Sequence, residues 1–374
     1  MATVYYNSAA TGADDGTSEA DAFDDLQTAL SSLSAGDHLY CKNGSSREGS
    51  QTVNLSFSGP TGSGPPVIIE GYGSTPGDGI RYQTASPCVW SGSNWVLKYF
   101  DIDKGADGTD AYHFGNADGW LMYRCKGTST YNYGSCTNLA DGVVVECEFY
   151  GKSVQNTKGI LNLQRCDAIN NYVEVTDGVS SGVRVQTGYR VNSLAGNLIV
   201  YKGSTSPTTS AGVVFHGSNN SNGGITYQNT VVGFDYGFME EDGNPLDPTK
   251  RWVHFGNLFY DGIYGFFNRE DVNSHETGHQ LLSTAIGSMT SGQTDGKEQL
   301  LLDTTTLTAS PFAETTDYTI NSTSGGGALI RGLLGHPNPH GYGATRVNFP
   351  THGARQPDPD AGGGGGGGTV GFGI

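Results

Sequence analysis

The sequence predicts a β-solenoid, an elongated stack of coils, and three observations carry that prediction. An apolar run preceded by Asn or Cys recurs, with its polar residue at Cys125, Cys147, Asn171, Asn197, Asn229 and Asn257, in steps of 22, 24, 26, 32 and 28 residues. A Gly followed by alternating apolar residues runs in phase with it, at Gly159, Gly182, Gly212, Gly237 and Gly265, in steps of 23, 30, 25 and 28. Two strand signals repeating together at this period mark stacked supersecondary units, each burying its apolar face on its neighbour. Finally, 58 glycines against 15% charged residues suit tight corners that need positive φ, and long helical stretches are nearly absent. A chain of 374 residues is too long for one small globular core, a limit that a solenoid escapes by lengthening.

The elements follow in order. Residues 4–7 read as a strand, and Phe23, Leu26, Leu30 and Leu33 mark one stripe of a short amphipathic helix. Ser18 is its expected N-cap, with Glu19 and Asp21 in the first turn and Gly36 closing the far end. Such a helix ahead of the first coil would cover an apolar cross-section that is otherwise an open sheet edge. Residues 1–37 are thus expected to form a strand and capping helix, and 38–309 the coils, beginning with strands at 38–41 and 66–70. Residues 310–356 are the expected closing strand region. From 357 the composition changes to an acidic Pro/Asp spacer, an uninterrupted glycine run at 362–368, and an apolar tip with Val370, Phe372 and Ile374. Bare polyglycine is ordinarily a linker, so the tip reads as a docking element for another copy or another protein.

Tyr5 to Leu30, followed by Ala35, Gly36 and Asp37, resembles the opening of right-handed parallel β-helix proteins of the pectate-lyase-like superfamily. Ser310, Pro311 and Phe312, then Asp317 to Ser324 and His352 to Gln356, resemble the way such domains close, so the likeness spans about residues 4–356. The resemblance implies an all-β, single-stranded right-handed parallel β-helix, and the opening itself carries no catalytic residue, so it implies architecture only. An opening of this kind directly after Met1 is similar to virion components of tailed bacteriophages. That likeness implies a surface decoration, fibre or spike subunit, made in a host cytoplasm and carried on the virion. A homo-oligomer, a trimer by analogy with β-helix spikes, is the implied assembly, contacting other virion proteins through 357–374.

Composition narrows the partners. A net charge of −17 and a pI near 4.7 disfavour nucleic acid, whose binding rewards basic surfaces, and anionic membranes. No secretion leader or membrane-length apolar run is read. Six cysteines lie at 41, 88, 125, 136, 147 and 166. Without CxxC spacing they read as buried thiols stacked within coils, disulfides being the alternative.

Candidate chemistry is sparse. Aligning the Gly phrases places Leu163, Gln186, His216, Glu241 and Arg269 in one column, and Gln164, Thr187, Gly217, Asp242 and Glu270 in the next. Coils stack about 4.8 Å apart, close to the roughly 5 Å between the carboxyls of retaining glycosidases. Asp242 and Glu270 are therefore the candidate carboxylate pair, with Glu241 beside them, His216 as proton carrier and Arg269 as carboxylate clamp. Lyases of the resembled superfamily similarly set acidic and basic residues on neighbouring coils, so a polysaccharide lyase or hydrolase, or a glycan-binding adhesin of a host surface, is the rival to a structural role. Ordinary cross-strand charge pairs on a solvated face explain the same residues without chemistry, and a register slip of one would flip them. His275, Glu276 and His279 spell HExxH, but Gly278 weakens the required helix and no third-ligand motif follows, so this reads as a chance match in a loop. Asp101, Asp103, Asp107 and Asp110 lack EF-hand spacing and read as solvated. Tyr260, Tyr264, Phe266 and Phe267 read as stacked aromatics, and His336, His340 and His352 as part of an exposed turn region. No P-loop or Gly-x-Ser-x-Gly elbow occurs, and no cofactor is expected.

Overall fold

The computed structural model describes residues 1–42, 48–51, 56–58, 64–71, 80–84, 88–104, 112–129, 136–140, 142–153, 159–178, 181–186, 192–203, 210–216, 224–227, 229–240, 252–255, 257–262, 264–267, 275–277, 281–282, 309–313, 318 and 321–324. They form a parallel β-helix with three ladders. One coil shows the pattern: Gly142–Val145, Glu148–Ser153 and Gly159–Gln164 follow one another around the axis. The chain then returns as Asp167–Ile169, lying parallel on Gly142–Val145. The first ladder runs from Thr3–Asn7 and His38–Lys42 to Trp252–Phe255 and His275–Thr277. The second holds ten strands, from Glu48–Gln51 to Leu281–Leu282. At about 4.8 Å per rung it is about 45 Å long. The third runs from Ser56–Ser58 to Tyr264–Phe267. Cys88–Lys98 and Tyr112–Tyr123 each continue around a corner, so the third and first ladders share them.

Alternation decides what is inside. In the first ladder Leu39, Ile69, Leu97, Met122, Val144 and Ala168 point inward and are buried, while their neighbours are partly exposed. Ile102, Phe149, Val173, Ile199, Val231 and Phe259 point inward and are buried in the second. Leu161, Val183, Val213 and Phe238 form an inward column in the third. Trp95 stacks on Trp120 of the next rung, with ring centroids 5.7 Å apart.

The corner from first to second ladder explains the Asn/Cys repeat. Its first residue takes a left-handed φ, at Tyr99, Arg124, Glu146, Asn170 and Gly196. Its second residue is Phe100 after Tyr99 and the repeated Cys or Asn on the later rungs. Asn171, Asn197, Asn229 and Asn257 are buried and linked in a chain. Asn171 donates its backbone N–H (2.9 Å) and Nδ2 (3.0 Å) to Asn197 Oδ1. Asn197 donates likewise to Asn229 Oδ1 at 3.0 and 2.8 Å, and Asn229 to Asn257 Oδ1 at 3.0 and 2.9 Å. Each Nδ2 also reaches a carbonyl on a preceding strand, such as Ala168 O at 2.9 Å from Asn197. Cys147 accepts the Cys125 N–H at 3.3 Å in the same way, so the thiol is a weaker Asn. Cys41, Cys125, Cys147 and Cys166 are buried free thiols, as expected, and burial pushes the Cys41 thiol upward.

The expected helix is corrected in its cap and extent. The helix α1 is Leu26–Ser31, capped by Asp25, whose Oδ1 accepts the Thr28 N–H at 2.7 Å. Ser18 instead closes a turn with Asp21, and Phe23 lies in a bridge to Tyr6, so the apolar stripe extends beyond the helix itself. Leu26, Ala29 and Leu30 join the main core. The outer face of the second ladder is covered along its late rungs. Its late rungs turn Tyr172, Leu198, Val200, Val232 and Leu258 outward, yet these are buried because Phe312 and Tyr318 pack over them. Asn321 clips that returning segment, donating Nδ2 to Ser310 O and Phe312 O, both at 2.9 Å.

Candidate functional site

The sequence-derived columns are right in part. Gln186 does lie opposite His216, but Leu163 lies opposite Val185, and it is Gln164 that faces Gln186. Aligning glycines caused the slip, because Gly159 pairs with Ser181 rather than with Gly182. Above them Phe215 pairs with Glu240, and Tyr236 with Tyr264. The stretches 241–251 and 268–274, which follow these last two third-ladder strands and lead to the first ladder, contain Glu241, Asp242, Arg269 and Glu270. These four lie outside the described residues, as do Asp107, Asp110, His279, His336, His340, His352, Val370, Phe372 and Ile374.

His275 and Glu276 belong to a first-ladder strand, opposite Trp252 and Val253, and not to a loop. A strand lacks the 3.6-residue period that places the two imidazoles of HExxH on one helix face. Asp101 and Asp103 sit in the second ladder opposite Lys126 and Thr128. Among the described residues no group of three or more His, Cys, Asp or Glu is arranged to hold a metal, and no helix is long and apolar enough to cross a membrane.

What the structure does bring together is a polar cluster on the outer face of the second ladder, beside the returning segment. Register stacks Lys126, Glu148 and Tyr172 in one column and Tyr150 and Glu174 in the next. Tyr150 donates its hydroxyl to Glu148 at 2.9 Å. The Lys126 ammonium lies 3.9 Å from Glu148 and 4.6 Å from the centre of the Tyr150 ring. Tyr172 donates its hydroxyl to Glu174, which also pairs with Lys202 at 3.3 Å. Burial first, then the Glu148 carboxylate, pushes the Tyr150 phenol up. Burial and Glu174 do the same to Tyr172. Tyr318 is pushed up to about 12, by burial and then Glu174. The phenols therefore remain protonated donors at neutral pH and are poor bases. Such a cluster suits packing or hydroxyl recognition better than proton abstraction. Its signal was present in the sequence, since Lys126, Glu148 and Tyr172 each directly follow the repeated Cys or Asn.

Fold and register together define a parallel β-helix. The solved pectate lyase Pel9A is similar over 85% of this chain and 82% of its own, with 11% identity and a TM-score of 0.50. The PL6 family alginate lyase AlyGC matches 77% of this chain but only 40% of its own length, at 12% identity and a TM-score of 0.47. A Geobacillus virus E2 protein, ORF18, matches 77% of this chain and 58% of its own, at 11% identity and a TM-score of 0.33. These likenesses concern the fold. No family model and no curated protein matches the sequence.

Proposed function

We propose that the chain is a structural component of a bacteriophage particle, a rigid rod on its surface that assembles as a homo-oligomer and docks through residues 357–374. The observation that carries this reading is the stacking of parallel rungs from Thr3–Asn7 to Leu281–Leu282, tied internally by the Asn chain. Continuous ladders resist bending and need no cofactor or moving part. The resemblance of the opening residues to virion proteins supplies the setting. The test is to purify particles and find the chain in them by mass spectrometry, with antibody labelling by electron microscopy to place it. Deleting 357–374 should leave a folded rod that no longer joins particles. A chain found only in the soluble lysate overturns the proposal.

A second reading is favoured by one observation: the segments bearing Asp242 and Glu270 follow third-ladder strands that pair directly, in the fold that Pel9A shares. Under this reading the chain cuts a host polysaccharide. Release of reducing or unsaturated ends that disappears in Asp242→Asn and Glu270→Gln would establish it. Turnover unaffected by both variants would exclude these two residues.

A further inference from the structure

We propose a second site, a strip on the outer face of the first ladder that binds a neutral polysaccharide. It goes beyond the particle role and holds for the purified chain alone. Parallel pairing sets Tyr5, Tyr40, Glu70, Lys98 and Tyr123 in a single outward column, one per rung. At about 4.8 Å per rung the column is about 20 Å long, and one rung is close to the advance of one pyranose in an extended chain. Contacts join its members. Tyr40 stacks on His38 at 4.0 Å and on Tyr5 at 5.9 Å. His38 and Lys98 both reach Glu70, at 3.2 and 3.8 Å. Tyr99 meets Tyr123 edge-on at 5.9 Å, the Arg124 guanidinium lies 5.1 Å over the Tyr123 ring, and Arg124 pairs with Glu146 at 2.8 Å.

Two arguments select a neutral glycan as occupant. Backbone strain is the first. Tyr99, Arg124 and Glu146 occupy the left-handed corner that later rungs fill with Asn170 and Gly196, residues that adopt it at lower cost. Large side chains at strained positions on three successive rungs, all joining one strip, point to a role for those side chains. Charge is the second. Lys98 and Arg124 balance Glu70 and Glu146 within the strip, whereas the chain as a whole carries −17 and repels polyanions. Partly exposed tyrosine rings offer flat faces to the C–H face of a sugar, and held carboxylate and guanidinium groups hydrogen-bond its hydroxyls.

The test uses the full chain on an array of neutral bacterial surface polysaccharides, glucans and mannans, with alginate and polygalacturonate as acidic arms. Sedimentation equilibrium is run in parallel. Binding to a neutral glycan is expected, weakened about tenfold or more by Tyr40→Ala and by Tyr99→Asn. Tyr99→Asn relieves the corner and is expected to keep or raise the melting temperature, which separates lost binding from lost folding. Binding to no neutral glycan, binding confined to the acidic arms, or binding unchanged in both variants overturns the proposal. So does an oligomer that the same variants dissociate with no glycan bound, which would make the strip an interface between copies. None of these outcomes bears on whether the chain is found in particles.

Discussion

Replacing Asn197 by Ala removes the middle link of the Asn chain. Its side chain accepts from Asn171 N and Nδ2 and donates to Asn229 Oδ1 and Ala168 O, four bonds at 2.8 to 3.0 Å in a buried corner. A net hydrogen bond contributes about 1 kcal/mol, and a buried group left unsatisfied costs about 1–3 kcal/mol. The loss for Asn197→Ala is therefore about 4 kcal/mol. With an m-value of about 3 kcal/mol/M in urea, the unfolding midpoint should fall by roughly 1 M or more. Asn197→Cys provides the internal control, because Cys147 fills the same corner, accepting an N–H at 3.3 Å and donating to Val145 O at 3.4 Å. It should lose about half as much. A midpoint shift below about 0.3 M for Ala, or equal shifts for Ala and Cys, would refute the idea that the linked amides hold the corner.

Three further outcomes follow from the packing and titration. Phe312→Ala takes away a ring that meets Tyr260 and Tyr318 edge-on at 5.4 and 5.2 Å, so proteolysis within 309–324 should accelerate by about 3 kcal/mol of local opening. Far-ultraviolet circular dichroism of the rod should not change. Gly142→Ala would bring a Cβ to 2.1 Å from Trp120 Cε2, a buried ring with nowhere to go, so soluble yield should collapse. His38 has its pKa held below the usual 6.5, by burial first and against the pull of Glu70. The unfolded chain therefore takes up that proton first, and stability should decline as pH falls through about 6.5. His38→Gln should flatten that limb of the melting-temperature profile.

The coil architecture was legible because it is written twice, in the Gly phrase and in the Asn/Cys phrase, and each has a physical cause. The polar repeat is the second corner residue, whose side chain satisfies a backbone N–H one rung away. Its Cys members are chemically consistent with its Asn members. Register was harder to read. Glycine at 159 and at 182 serves different positions, so aligning like with like slid the lowest rung by one and put Leu163 where Gln164 stands. The helix boundary was misread for a related reason: Phe23 continues the apolar stripe from a bridge, outside any helix. Asp242 and Glu270 lie in stretches outside the described residues.

The outer faces show why a solenoid sequence under-reports its own surface. An outward position in the second ladder is charged at Lys126 and Glu148, then holds Tyr172, Leu198, Thr230 and Leu258, all buried, in the same column. From the sequence this looks like a weakening of alternation, and it invites reading the late rungs as buried on both sides. The cause is non-local. Phe312 and Tyr318, more than fifty residues beyond Leu258, supply the cover. A charged residue at Leu198 would test that cause directly. Leu198→Asp should expose the returning segment to protease as Phe312→Ala does, while the inward column through Val173 and Ile199 keeps the rungs stacked. If Leu198→Asp instead dissolved the ladders themselves, the late rungs would depend on the returning chain, and the rod would not be self-supporting beyond Tyr172.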